Sequence, residues 1–215
     1  MPVARAVAFD FNGTLSHDEP IMFAIYREMF RAHGRPITEA EYYGQCAGLS
    51  EEAIIAGWLG LGEDELGALV AERVDRYLEL ASDGSTISGD VRGAVEYAAA
   101  RVPVAVVSGA FRREIEPVLA AAHLTEHIRV LVAADDVVRG KPHPEAYALA
   151  LPLLGDDLRA SDVLAFEDTE AGVASAKDAG VRCVAVLGTV APERLRRADE
   201  VVERIDVELM QRLLG

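Results

Sequence analysis

Asp10 closes an almost unbroken apolar run, Val3 to Phe9, and Asn12, Gly13 and Thr14 follow at once. A run of this kind reads as a buried parallel strand. A carboxylate at the end of a buried strand is costly unless a metal ion or hydrogen-bond donors hold it. In open α/β sheets that same end is where ligands bind. Asp10 is therefore a candidate nucleophile or metal ligand. Asn12, two residues on, points to the same side, but an amide cannot take or give a proton as a carboxylate does.

Two further apolar runs end in polar groups. Val102–Val107 is followed by Ser108-Gly109, and Val163–Phe166 by Glu167-Asp168. In one parallel sheet all three ends share an edge. Lys141 sits in the loop Arg139-Gly140-Lys141-Pro142-His143-Pro144, whose prolines stiffen the approach and could aim it. Asp10, Glu167 and Asp168 offer hard oxygen ligands with room for water, which suits Mg²⁺. A Mg²⁺ ion beside a nucleophilic carboxylate suits phosphoryl transfer. Ser108 and the backbone N–H groups at the start of the next helix, Gly109 among them, could hold a phosphate. Lys141 adds a point charge that screens Asp10 from an anionic substrate. Gly13 lets the backbone approach closely. Singly, Ser108 reads as a helix cap, Lys141 as a solvated loop residue and Glu167-Asp168 as a cap for the helix opening at Glu170. Four such features at successive ends of one sheet point to a site.

The elements that must position these groups alternate in character. From Glu19 to about Ser82 the pattern is helical throughout. One helix covers roughly 20–33, Thr38-Glu39-Ala40-Glu41 has the form of a capping box opening a second, Ser50 opens a third and Glu63 a fourth that runs through Leu78. After Asp83-Gly84 short apolar strands alternate with helices, at about 90–101, 112–122, 144–154 and 170–179 for the helices and at 129–133 and 183–187 for further strands. This predicts an α/β protein, a doubly wound parallel sheet, with the helical segment inserted after the first strand and lying beside the strand ends. The tail from Ile205 to Leu214 reads as an amphipathic helix.

Composition narrows the partners. The 215 residues are 51% hydrophobic and carry a net charge of -15, with a pI near 4.7. Nucleic acid and anionic membrane both need a basic face, so neither is expected. No apolar stretch reaches the ~18 residues a membrane span requires. The N-terminal apolar run ends in Asp10 without a small-residue cleavage site, so no signal peptide is expected. Cys46 and Cys183 lie far apart without metal-like spacing, which suits two buried, reduced thiols in a cytoplasmic protein.

In order, Asp10-Phe11-Asn12-Gly13-Thr14, Val106-Val107-Ser108-Gly109, Gly140-Lys141-Pro142 and Phe166-Glu167-Asp168 resemble the four motifs of the haloacid dehalogenase superfamily. The helical insert after the first motif resembles the branch that includes β-phosphoglucomutase and phosphoglycolate phosphatase. The resemblance runs from Val3 to about Val202. It implies a Rossmann-like core, residues 1–15 and 83–215, with an all-helical cap at 16–82 that closes over the site. It implies a hydrolase acting on a small phosphorylated metabolite through a phospho-aspartyl intermediate on Asp10, as a monomer or weak homodimer. Mg²⁺ would be held by Asp10, the Asn12 backbone carbonyl and Asp168, with Glu167 adjacent or direct. Asp10, Asn12 and Lys141 would be the catalytic residues, and Ser108, Gly109 and Lys141 the phosphate-binding ones.

One departure bears on rate. Phosphatases of this family normally carry a second Asp at the position of Asn12, which protonates the leaving oxygen and then deprotonates the attacking water. Loss of a positioned acid–base group lowers the rate by ~10²–10⁴, or roughly 3–5 kcal/mol of barrier. A slow phosphatase is expected, or one limited to good leaving groups such as acyl phosphates. The alternative is a catalytically impaired protein that binds Mg²⁺ and a phosphorylated ligand as a sensor or regulator. Helical-segment residues 16–82 include no lysine, which removes a Schiff-base phosphonatase role. Glu51 stands where the mutases carry an arginine, and Glu167-Asp168 argue for a metal and against a dehalogenase. His17 and Asp18 follow the first motif, and His17, as an imidazole, is the stronger candidate to replace the missing group. Arg73 and Arg76 on the fourth helix either contact substrate or form a solvated face.

Overall fold

Six short strands make one parallel sheet in the computed structural model, which describes residues 3–215 apart from the side chains at 63 and 64. They are β1 (Ala6–Phe9), β2 (Val104–Val107), β3 (Val130–Val132), β4 (Val163–Glu167), β5 (Arg182–Val186) and β6 (Glu200–Val202), in spatial order β3-β2-β1-β4-β5-β6. The expected α/β fold is the observed one. Residues 1–2, the start of the expected core, lie outside the described residues.

Alternation along each strand sorts side chains onto two faces. Val7, Phe9, Val106, Leu164, Phe166 and Val184 face one cluster, filled by the helices α5 (Gly89–Ala99), α6 (Arg112–Ala121) and α9 (Val207–Leu214). Phe9 and Phe166, paired across β1 and β4, stack with ring centroids 5.0 Å apart. The opposite face is built from Ala6, Ala8, Ala105, Ala165 and Ala185, with α7 (Glu145–Leu154) and α8 (Glu170–Asp178) on top. Both faces are thus covered, as a parallel sheet requires.

Between β1 and α5 lie α1 (Glu19–Ala32), α2 (Glu39–Glu41), α3 (Glu51–Leu59) and α4 (Glu63–Ala81). α4 packs against α1 and α3 and also against α6 of the sheet layer. The capping box at Thr38 forms: Thr38 Oγ1 accepts from the Glu41 N–H at 3.3 Å, and the Glu41 carboxylate accepts from the Thr38 N–H at 2.8 Å. That helix is a single turn, however, and passes into a wide π turn over Tyr42–Cys46, which turns Tyr42 and Cys46 inward. Cys46 and Cys183 are both buried and free, as expected.

β6 is a correction to the expected strand set. Its residues are exposed or half-buried and it pairs with β5 alone, so no apolar run marks it. Among the described residues no helix is long and apolar enough to cross a membrane.

Candidate functional site

β1 sits at the centre of the sheet between β2 and β4, and the chain order reverses there, so a crevice opens at the adjoining C-terminal ends. Asp10 extends β1 by one bond, its N–H donating to the Phe166 carbonyl at 2.9 Å. The chain then folds back tightly. The N–H groups of Leu15 and Ser16 both donate to the Phe11 carbonyl at 2.9 Å, and that of Gly13 donates to the Ser16 carbonyl at 2.8 Å. Gly13 has φ +73°, and a Cβ there would collide with the Asp168 carboxylate, so glycine is required twice over.

Lys141 crosses from its loop into this crevice. Its Nζ lies 2.6 Å from Asp10 Oδ1 and 2.7 Å from Glu167 Oε1, and donates to the Val107 carbonyl at 2.9 Å. Burial works against the ammonium charge, but the two carboxylates outweigh it and hold the lysine pKa above its ordinary value. Glu167 is fully buried and also accepts from the Tyr147 hydroxyl at 2.6 Å. Burial pushes its carboxyl up to about 7, against the pull of Lys141.

Asp10, Glu167 and Asp168 place carboxylate oxygens within 4.8 Å of one another, all buried. Thr14 Oγ1 donates to Asp168 Oδ1 at 3.2 Å, whereas Asp168 Oδ2 and Glu167 Oε2 are buried without a hydrogen-bond partner. Burial first, and the Asp10 charge second, hold the Asp168 carboxyl well above the usual range. Buried carboxylates with orphaned oxygens are what a divalent cation satisfies, and an all-oxygen set suits a hard ion. The residues present therefore fit a metal.

Asp10, Asn12, Ser108, Gly109, Lys141 and Asp168 line one cleft of about 330 Å³. Of the seven residues expected to have catalytic, phosphate-binding or metal-binding roles, six line it. Glu167 stands behind Lys141 instead of in the cleft wall, in a space left by Gly172, where a Cβ would strike its carboxylate. Ser108 is buried and its Oγ accepts from the Ala110 N–H at 3.0 Å, which shapes the turn after β2.

The surroundings of Asn12 differ from expectation. Its Nδ2 donates to Asp18 Oδ2 at 2.9 Å, and the Tyr77 hydroxyl of α4 donates to the same oxygen at 2.5 Å. Burial raises the Asp18 pKa despite these donors. His17 is exposed and does not line the cleft. The titratable group beside Asn12 is therefore Asp18. The clue available in sequence was its place at the end of the loop, one residue before α1.

Arg73 also corrects both readings made of it. It is fully buried, bonded to Glu51 at 2.5 Å and to Glu114 of α6, and Glu51 in turn accepts from the Tyr26 hydroxyl. Arg73 thus joins α4 to the sheet layer and neutralises Glu51, a residue of the cleft wall. Glu114 also accepts from the Phe111 N–H at 3.2 Å, in the turn that follows Ser108. Arg76 is exposed, 2.9 Å from Glu79.

A doubly wound parallel sheet with an acidic, lysine-bearing crevice at its switch point is the frame of the site. The chain belongs to the haloacid dehalogenase-like hydrolase family, whose model matches residues 4–180. Among its relatives, the validoxylamine A 7'-phosphate phosphatase of Streptomyces hygroscopicus subsp. limoneus is 32% identical over 206 residues, 93% of each chain. The N-acetylmuramic acid 6-phosphate phosphatase of Pseudomonas aeruginosa is 34% identical over 196 residues, 88% of this chain and 84% of the other. The crystal structure of CbbY from Rhodobacter sphaeroides in complex with phosphate matches with a TM-score of 0.83 and 26% identity over 96% of each chain. The resemblance carried by the four motifs is met.

Proposed function

We propose that the protein is a Mg²⁺-dependent phosphatase that acts on a small phosphorylated metabolite through a phospho-aspartyl intermediate on Asp10. The observation that carries this is the Lys141–Asp10 pair at 2.6 Å, set beside an Asp168 carboxylate with an orphaned oxygen. Relatives that remove phosphate from phosphorylated small molecules support it.

Each residue has a role in this scheme. Ser108, the Gly109 N–H and Lys141 seat the phosphate. Lys141 engages Asp10 Oδ1, which leaves Oδ2 to attack phosphorus in line with the departing oxygen. The P–O bond to the organic part breaks, and its oxygen takes a proton from solvent, since the Asn12 amide has none to give. Water then cleaves the acyl phosphate, which frees inorganic phosphate and restores the Asp10 carboxylate. Asp10, Asp168 and the Asn12 backbone carbonyl would hold Mg²⁺, with Glu167 fixing Lys141 behind them. When bound, the ion neutralises charge on the phosphate oxygens. Residues 16–82 act as the cap over a core of 1–15 and 83–215. Slow turnover follows from Asn12. A cytoplasmic setting is part of this reading, supported by two free, buried cysteines.

The test is phosphate release with and without Mg²⁺, together with intact-protein mass after exposure to acetyl phosphate. Addition of one phosphoryl group, absent in Asp10→Ala, supports the scheme. The amide at Asn12 favours a second reading, a sensor that binds Mg²⁺ and a phosphorylated ligand. Saturable, Mg²⁺-dependent binding without phosphate release or phosphoryl addition selects that reading.

A further inference from the structure

The cleft carries its cation at one end. At the sheet end lies Lys141, the one Lys, Arg or His among the described residues of its lining. At the helical end the wall is made by Glu19, the first residue of α1, and by Ser50, Glu51 and Glu52 at the start of α3, with Tyr42 and Met22 between them.

These acids are not equivalent. Glu51 is already neutralised by Arg73 and Tyr26. Glu52 is exposed. Glu19 is half-buried, accepts one bond from the Tyr42 hydroxyl at 2.9 Å, and has no cationic partner among the described residues. Burial first, and then the neighbouring charges of Asp18, Asp10 and Glu51, push its carboxyl up to about 7. The N-terminus of α3 offers the opposing influence. Ser50 Oγ takes the Ala53 N–H at 3.3 Å, and a half-charge from the helix dipole is smaller than the full charges beside it.

We infer that the cleft selects phosphate monoesters whose organic part carries an ammonium group and no second anion, with Glu19 as the residue that reads the ammonium. This rests on the phosphatase reading only for the anchoring of phosphate at the Lys141 end. An ammonium group would give Glu19 the counter-charge it lacks, whereas a hydroxyl would add a single hydrogen bond. A carboxylate or second phosphate at the same place would face Glu19 and Glu52 with no cation to receive it.

The test compares esters that differ at one group. On a two-carbon scaffold these are phosphoethanolamine, hydroxyethyl phosphate and phosphoglycolate. On a hexose scaffold they are glucosamine 6-phosphate, glucose 6-phosphate and 6-phosphogluconate. Dissociation constants are measured with Mg²⁺ by calorimetry on Asp10→Asn, so that affinities are obtained whether or not the native chain turns over, and phosphate release is measured on the native chain. On the scaffold that binds more tightly, the amine ester is expected to bind about tenfold better than the hydroxyl ester, and the carboxylate ester to bind worst. Glu19→Gln in the same background should bring the amine-to-hydroxyl ratio close to one. Equal or reversed affinities, or a ratio that Glu19→Gln leaves unchanged, would overturn the inference. Phosphate release with no amine preference defeats this inference and leaves the phosphatase reading standing. Amine preference without phosphate release does the reverse.

Discussion

Asn12 donates its side-chain amide to Asp18 at 2.9 Å, and Tyr77 donates to the same oxygen from α4. The amide that replaces the expected acid–base group is thus held in place from the helical segment, through a carboxyl that is itself buried. Tyr77→Phe removes one donor from that buried carboxyl. Unfolding in urea should show a loss of about 1–3 kcal/mol.

Lys141 is the cation between two buried carboxylates. Lys141→Met should lower phosphate release by about 10²–10³ while the far-ultraviolet circular dichroism stays native. Lys141→Arg should not restore the rate, because a planar fork does not replace a point charge aimed at Asp10 and the Val107 carbonyl.

Arg73 is the cation of the pairing between α4 and α6. Removing one partner from a buried ion pair leaves the other uncompensated, so Arg73→Met should cost about 3–5 kcal/mol of stability. Arg76→Met, one turn further along an exposed face, should change the urea midpoint little, since surface pairs contribute ~0–1 kcal/mol.

Stability of the metal-free chain should fall as pH rises from about 5 to 7. Burial is the main cause that pushes Glu19 up from 4.5 to about 7. In that window the folded chain keeps a proton that the unfolded chain has released, so this group weakens the fold by at most ~1.4 kcal/mol per pH unit. Glu19→Gln removes this contribution, and its urea midpoints at the two pH values should lie closer together than those of the native chain.

Much of the site was legible because strand ends in a parallel sheet must share an edge. Asp10, Ser108 and Asp168 could therefore be brought together from the apolar runs before them, and the lysine of the Gly140-Lys141-Pro142 motif joins them. What was not legible depends on packing between distant segments. Asp18 meets Tyr77 across 59 positions, and Arg73 meets Glu114 across 41, and neither spacing leaves a periodic trace. Arg73 reads from sequence as a substrate contact or a solvated face because buried arginines are rare unless paired, and its partners Glu51 and Glu114 lie on two other helices, α3 and α6. β6 escaped notice because an edge strand with exposed residues lacks the apolar run that marked the other five.

The central claim is that Asp10 works as a nucleophile without its usual proton relay. The direct measurement is Mg²⁺-dependent phosphate release from alkyl phosphates and acetyl phosphate by the native chain and by Asn12→Asp. The native chain should be slow on alkyl esters and faster on acetyl phosphate, whose leaving group needs no proton. Asn12→Asp should raise the alkyl rate by about 10² or more and the acetyl phosphate rate much less. A native chain already fast on alkyl esters, and unchanged or slowed by Asn12→Asp, would contradict the account.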